Sequence, residues 1–204
     1  RTVRAQLGVS VLALAVSTAA LAEAPDRQPG RGPVPSWGKL TPIPSPNPDK
    51  ADAPYQVLLL EGQTKFGKEG EHTYFEMVIR PQTVVGLQGF STIILPWNVA
   101  RADLIVHSIE AIRDGKSIDL IKDSPFTILR RESRLEQAQF DGVRSVVLPV
   151  KGVEIGDTIR ISATYRDIPS NLTARPDDLS KWGTPFPVGW MDRRVIVPPE
   201  MAVK

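Results

Sequence analysis

Short apolar runs divided by turn residues fill the chain after Pro54. Tyr55 to Leu60 is an apolar run apart from Gln56, while Thr73 to Arg80 alternates, with Phe75, Met77 and Ile79 on one side and Tyr74, Glu76 and Arg80 on the other. Both patterns predict strands, and Phe66-Gly67-Lys68-Glu69-Gly70 between them predicts the turn of an antiparallel hairpin. Phe90 to Leu95, closed by Pro96, is a third strand candidate. Leu104 to Ile112 also fits a helix face through Leu104, Ile105, Ser108, Ile109 and Ile112. The Asp114-Gly115 pair that follows is a two-residue hairpin signal leading into Ser117 to Ile121, and it decides for a strand. Asp141-Gly142 repeats the signal between Glu132–Phe140 and Val143–Val150, whose residues Val143, Ser145 and Val147 alternate with Arg144, Val146 and Leu148. Gly156-Asp157 then turns the chain into Thr158 to Tyr165, where Ile159, Ile161, Ala163 and Tyr165 face one way and Thr158, Arg160, Ser162 and Thr164 the other. Val195-Ile196-Val197 begins one more strand. This spacing predicts a mainly all-β module, an antiparallel β-sandwich or open barrel. A short helix over 130–139, the stretch of highest helix propensity, is the expected exception.

Ahead of Pro54 the pattern differs. Arg1 and Arg4 precede a small and apolar run from Leu7 to Leu21, ending in Ala20-Leu21-Ala22 before Glu23. That order of charged, apolar and small residues predicts a secretory signal peptide over 1–22, cleaved after Ala22. The run is too short and too rich in Ala, Ser and Thr for a spanning helix of about 20 apolar residues, so no membrane span is expected after cleavage. Residues 23–54 read as a proline-rich spacer: Pro42, Pro44, Pro46 and Pro48 alternate with other residues, and proline fixes φ and lacks the amide donor that a sheet interior requires. Trp37 within it is expected to dock on a neighbouring core. The β-module then spans 55–204, and a stop at Lys204 just after a strand and Pro198-Pro199 reads as a truncated C-terminal end. The expected location is periplasmic or extracellular.

Composition narrows the chemistry. In 204 residues, hydrophobic side chains make up 41% and charged ones 24%, enough for one soluble core. A net charge of +2, with dispersed Lys and Arg, gives no reason to expect nucleic acid as a partner. The chain has no cysteine, which removes disulfides, thiolate metal sites and thiol nucleophiles from it. No glycine-rich strand-to-helix unit suggests a nucleotide site.

Candidate sites divide by chemistry. His72 and His107 each lie alone on a predicted strand, without the converging partners that a metal or catalytic site needs, and read as structural. Asp114, Asp141 and Asp157 adjoin Gly115, Gly142 and Gly156, where aspartate and glycine make turns. The rival reading makes them carboxylates of a hydrolase, which requires two of them to converge. Trp182, Phe186 and Trp190 fall in a Gly- and Pro-rich stretch, with Trp97 upstream after Pro96. These aromatics either plug the ends of the sandwich or, at Trp182 and Trp190, bind a glycan or peptide by stacking. No residue is assigned to catalysis, and no metal or cofactor is expected.

The run Leu104-Ile105-Val106-His107 through Arg113-Asp114-Gly115-Lys116-Ser117-Ile118-Asp119-Leu120, with Ile128-Leu129-Arg130-Arg131-Glu132-Ser133-Arg134-Leu135-Glu136, Asp141-Gly142 and Gly156-Asp157, resembles a bacterial domain of unknown function found ahead of transglutaminase-like domains. The resemblance covers about Tyr55 to Asp167. It implies an exported, β-sandwich-like module that precedes a papain-like transglutaminase or cysteine-protease domain, whose Cys, His and Asp have no counterpart here because this chain lacks cysteine. It also implies that Arg131 or Glu132 reaches a polar seam or the neighbouring domain. By composition alone the segment around them is a solvated charged face. The expected role is therefore noncatalytic packing or substrate recognition beside a domain beyond Lys204.

Overall fold

The computed structural model describes residues 27–122, 126–130, 143–168 and 184–200. Among them the strands are β1 (Gly30–Arg31), β2 (Tyr55–Gly67), β3 (Gly70–Pro81), β4 (Thr92–Asn98), β5 (Ala102–Arg113), β6 (Lys116–Asp119), β7 (Thr127–Arg130), β8 (Val143–Pro149), β9 (Thr158–Asp167) and β10 (Val188–Ile196), with one helix, α1 (Val84–Gly89). Two open sheets result. The large one runs β1-β5-β9-β3-β2-β10 with β6 appended to β5, and the small one runs β4-β8-β7.

The mainly-β expectation holds, and the alternation read from the sequence fixes the faces. Ile79, Leu104, Val106, Ile109, Ile159 and Ile161 of the large sheet pack with Ile93, Leu95, Trp97, Val146 and Leu148 of the small one in a single apolar core. Two sheets therefore lie face to face, and each such side chain contributes about 1.5–3 kcal/mol through burial. The Asp114-Gly115 hairpin forms as expected: both residues have positive φ, 50° and 73°, and β6 pairs back on β5. Leu104 to Ile112 is strand, not helix.

The sheet is mixed where the sequence predicts antiparallel pairing. β1 joins β5 in parallel and β10 joins β2 in parallel, each at an outer edge. Parallel neighbours cannot be linked by a tight turn, so no local signal announces them. β2 also outruns its apolar half, because Glu61, Gln63 and Lys65 continue the alternation on one face up to the turn at Lys68-Glu69.

Two other elements differ from expectation for visible reasons. α1 forms although Val-Val-Gly is poor helix sequence: Thr83 Oγ1 accepts the Gly86 amide at 3.1 Å, and the Pro54 carbonyl accepts the amides of Gln82 and Thr83. Gly86 sits so close to that carbonyl that a Cβ would overlap it. β4 does not stop before Pro96 but passes through it. The Val150 amide donates to Ser91 O at 2.8 Å, and this sets the phase of the β4–β8 ladder. Ile93, Leu95 and Trp97 exchange bonds with β8, whereas Thr92, Ile94 and Pro96 turn their backbone groups away, so the missing proline amide costs no ladder bond.

The proline-dense stretch lies across the outer face of the large sheet. Gln63 Oε1 accepts the Lys39 amide at 2.9 Å while its Nε2 donates to Lys39 O at 2.5 Å. Gln56 does the same to Asn47, at 2.8 and 3.0 Å. Two glutamine side chains thus imitate a neighbouring strand at non-proline positions of a tract otherwise short of donors. Ile43 packs on Leu58, Leu59 and Val78, and half-buried Trp37 offers its carbonyl to Arg194 at 3.2 Å. Residues 1–22, the segment 131–140 and the Asp141-Gly142 turn lie outside the described residues, so the expected signal peptide, the body of the 130–139 helix and that hairpin do too; Arg130 ends β7.

Candidate functional site

Three strands cannot cover seven. Among the described residues the small sheet leaves part of the inner face of β3 and β9 open, and a cleft of about 780 Å³ lies there. Its floor is Phe75 and Met77 of β3 with Ile161 and Tyr165 of β9; Phe90, just after α1, forms one end, and the whole of Thr92 to Asn98 forms a wall. Phe90 is fixed edge-on against Tyr55, with ring centroids 5.0 Å apart. Polar groups are few. Thr73 Oγ1 donates to Glu71 at 3.1 Å, and Asp167 also borders the cavity. Burial pushes the Tyr165 phenol up to about 12 and raises the Asp167 carboxyl above its ordinary range. An apolar body with a few polar groups near one end is the usual build of a pocket for an apolar ligand. The one hydroxyl–carboxylate contact named in its lining, Thr73 to Glu71, has no histidine or cysteine beside it in that lining.

The outer face of the same sheet carries the opposite chemistry. Register places Asp192, Glu61, Glu76, Ser162 and Ser108 in one cross-strand row, and Arg194, Gln63, Tyr74 and Thr164 in the next. Arg160 Nε donates to Glu76 Oε1 at 2.8 Å, Tyr74 donates its hydroxyl to the other Glu76 oxygen, and Gln63 Nε2 donates to Glu61 Oε1 at 2.5 Å. Glu76 and Tyr74 are 0% exposed. Burial and the Glu76 bond raise the Tyr74 phenol far above its ordinary value. Burial also works against the Arg160 charge, but Glu76 outweighs it and raises the guanidinium. Glu61 is raised by burial, against hydrogen bonds from Thr41 and Gln63 and with added repulsion from Glu76 and Asp192. Hydrogen bonds among these groups hold the strands in register, with Glu61 Oε2 left buried and without a partner among the described residues.

The residues singled out by sequence are dispersed. His107, at the β5 bulge, uses both ring nitrogens, on Gly32 O at 3.0 Å and Thr164 Oγ1 at 2.7 Å, and stacks on Tyr74. His72 is lowered by burial, and Arg166 adds to the effect. Asp157 is 3% exposed and held by Arg113 through two bonds of 2.8 Å, with the Glu154 amide as a third; Arg113 first and that amide after burial's opposing push keep it below the usual carboxylate range. Asp114 sits instead on the exposed β5–β6 turn. Trp97 is buried, its indole donating to Ala102 O at 2.8 Å, whereas Trp190 on β10 is 55% exposed. Arg131, Glu132, Trp182 and Asp141 lie outside the described residues. Among the described residues, Glu61, Glu76 and Arg160 build a polar seam. The sequence did not single them out as a group, because the sharing of one face by three strands shows only once register is known. Among the described residues, no cluster of His, Cys, Asp or Glu is placed to hold a metal, and no helix is long and apolar enough to cross a membrane.

Comparison with known proteins fits this fold. A crystal structure of a "putative protease" from Parabacteroides distasonis ATCC 8503 superposes with a TM-score of 0.51 at 14% identity, covering 58% of this chain and 24% of that one. This chain thus matches about a quarter of that protein's length. No curated protein matches the sequence. The family model of a domain of unknown function with solved structure, DUF3857, matches residues 69–204, which leaves β1 and β2 outside it, and the chain belongs to that family.

Proposed function

We propose that this chain is an exported, noncatalytic module that serves packing or substrate recognition beside a transglutaminase-like or cysteine-protease-like domain. The carrying observation is the inter-sheet cleft, whose lining is mainly apolar and contains neither histidine nor cysteine. The lack of cysteine in the chain and the partial likeness to a much longer protein support the same reading. A peptide substrate would be held by Phe75, Met77 and Phe90, and another domain would do the chemistry.

The purified full chain tests this in two assays. It is expected to show no peptide cleavage or amide crosslinking above a buffer blank, and to bind the apolar dye 1-anilinonaphthalene-8-sulfonate in a way that Met77→Trp, which fills the cleft, abolishes. Turnover by the chain, or dye binding indifferent to Met77→Trp, would overturn the proposal. A second reading, glycan binding, is favoured only by the exposed indole of Trp190. Its test is quenching of tryptophan fluorescence by chito-oligosaccharides, lost in Trp190→Ala.

A further inference from the structure

We infer that the open edge of β4 seats one extended segment of a partner protein, which pairs with it as a fourth strand of the small sheet and lays alternate apolar side chains into the cleft. The inference rests on the reading of the cleft as a recognition site and says how recognition works there.

Seven consecutive β4 residues border the cleft. Side chains of a strand alternate between faces, so neighbours of both phases can line one cavity only if it runs along the strand's edge. Among the described residues β4 pairs with β8 alone. The ladder phase then leaves the N–H and C=O of Thr92 and Ile94 and the C=O of Pro96 directed at the cleft, five backbone groups in strand geometry. Open edges are normally guarded by charge. β10, an edge strand of the large sheet among the described residues, follows that rule with Asp192, Arg193 and Arg194, but β4 reads Thr-Ile-Ile-Leu-Pro-Trp-Asn and carries none, with Ile94 50% exposed.

The floor sets length and chemistry. From Glu71 to Met77 the alternate residues of β3 line the cleft, about 20 Å at roughly 3.4 Å per residue, which an extended segment of about six residues spans. Phe75, Met77 and Tyr165 call for apolar side chains at every second position. Glu71 and Asp167 at one end favour a lysine or arginine there. Strand addition of this kind takes affinity from main-chain bonds and selectivity from alternate pockets.

The probe is an acetylated, fluorescein-labelled heptapeptide alternating leucine and threonine and ending in lysine, titrated against the full chain by anisotropy. Saturable binding is expected, abolished when one alternate set of its amides is N-methylated and retained when the other set is. Ile94→Pro is expected to weaken it at least tenfold at an unchanged melting temperature, since that amide makes no bond to β8 and Pro96 already occupies the equivalent position; should the variant not fold, the N-methylated pair decides alone. Equal binding of both N-methylated series overturns strand pairing, and if Met77→Trp still abolishes binding the recognition function survives without it. Failure of the peptide where dodecanoate binds would also overturn the inference, pointing to a lipid; binding of neither, together with dye binding indifferent to Met77→Trp, would remove both readings.

Discussion

β3 belongs to two environments at once. Tyr74, Glu76 and Val78 on its outer side are fully buried although two of them are polar, whereas Phe75 and Met77 on its inner side are only partly covered although both are apolar. The outer face is sealed by hydrogen bonds among its own groups and by the proline-dense stretch. The inner face is sealed by the small sheet only where that sheet reaches. Exposed apolar surface costs free energy without returning stability, so it is the inner remainder, not the polar network, that is available for binding.

Breaking the outer face should cost most. Glu76→Ala leaves Arg160, 20% exposed, without its main partner and Tyr74 without an acceptor, and is expected to lower unfolding stability by about 3–5 kcal/mol in urea titration. A loss below about 1 kcal/mol would mean that Glu110, 3.8 Å from Arg160, takes over the charge. Next comes a contrast within the inner face: Ile159→Ala in the closed core should cost about 2–5 kcal/mol, and Met77→Ala, which enlarges a cavity already present, only about 1 kcal/mol. Equal losses would show that the cleft is closed in solution.

Two smaller effects depend on pH. The native Asp157 pKa lies below its ordinary 3.8, so its stabilisation is present above that value and is lost as pH falls through the native pKa. Asp157→Asn should therefore melt lower than wild type at pH 7, with the gap closing below about pH 4. Glu61 has the opposite sign. Its native pKa lies above 4.5, so its favourable contribution is present below that value and is lost as pH rises through the native pKa. Glu61→Gln should match wild type in acid and become the more stable of the two toward pH 8, and a constant difference across that range would contradict the assignment.

Much of the sandwich was legible because its information is local. Asp114-Gly115 named a turn, and the alternation of Thr158 to Tyr165 and of Thr73 to Arg80 assigned side chains to the correct faces. β10 was not legible beyond Val195-Ile196: Val-Gly-Trp-Met-Asp-Arg-Arg has no clean alternation, and what makes it a strand is the edge of β2. α1 likewise owes its existence to Pro54. For the site, sequence could say that Phe75, Met77 and Tyr165 point inward. It could not say that they stay uncovered, since that depends on how many strands the opposite sheet musters. Trp97 and Trp190 make the same point, one locked in the core by its indole and the other left in solvent.

The parallel seam between β2 and β10 also has a consequence for timing. Arg194 meets Gln63 across 131 positions of sequence, so this seam closes a long loop and must form late, after the β2–β3 hairpin. Until β10 arrives, the newly made chain displays the border of Tyr55–Gly67 unprotected, and the apolar Val57-Leu58-Leu59-Leu60 stretch within it is apt to self-associate. Glu61 and Lys65 beside that stretch act as gatekeepers during the interval, a duty separate from anything they do in the finished molecule.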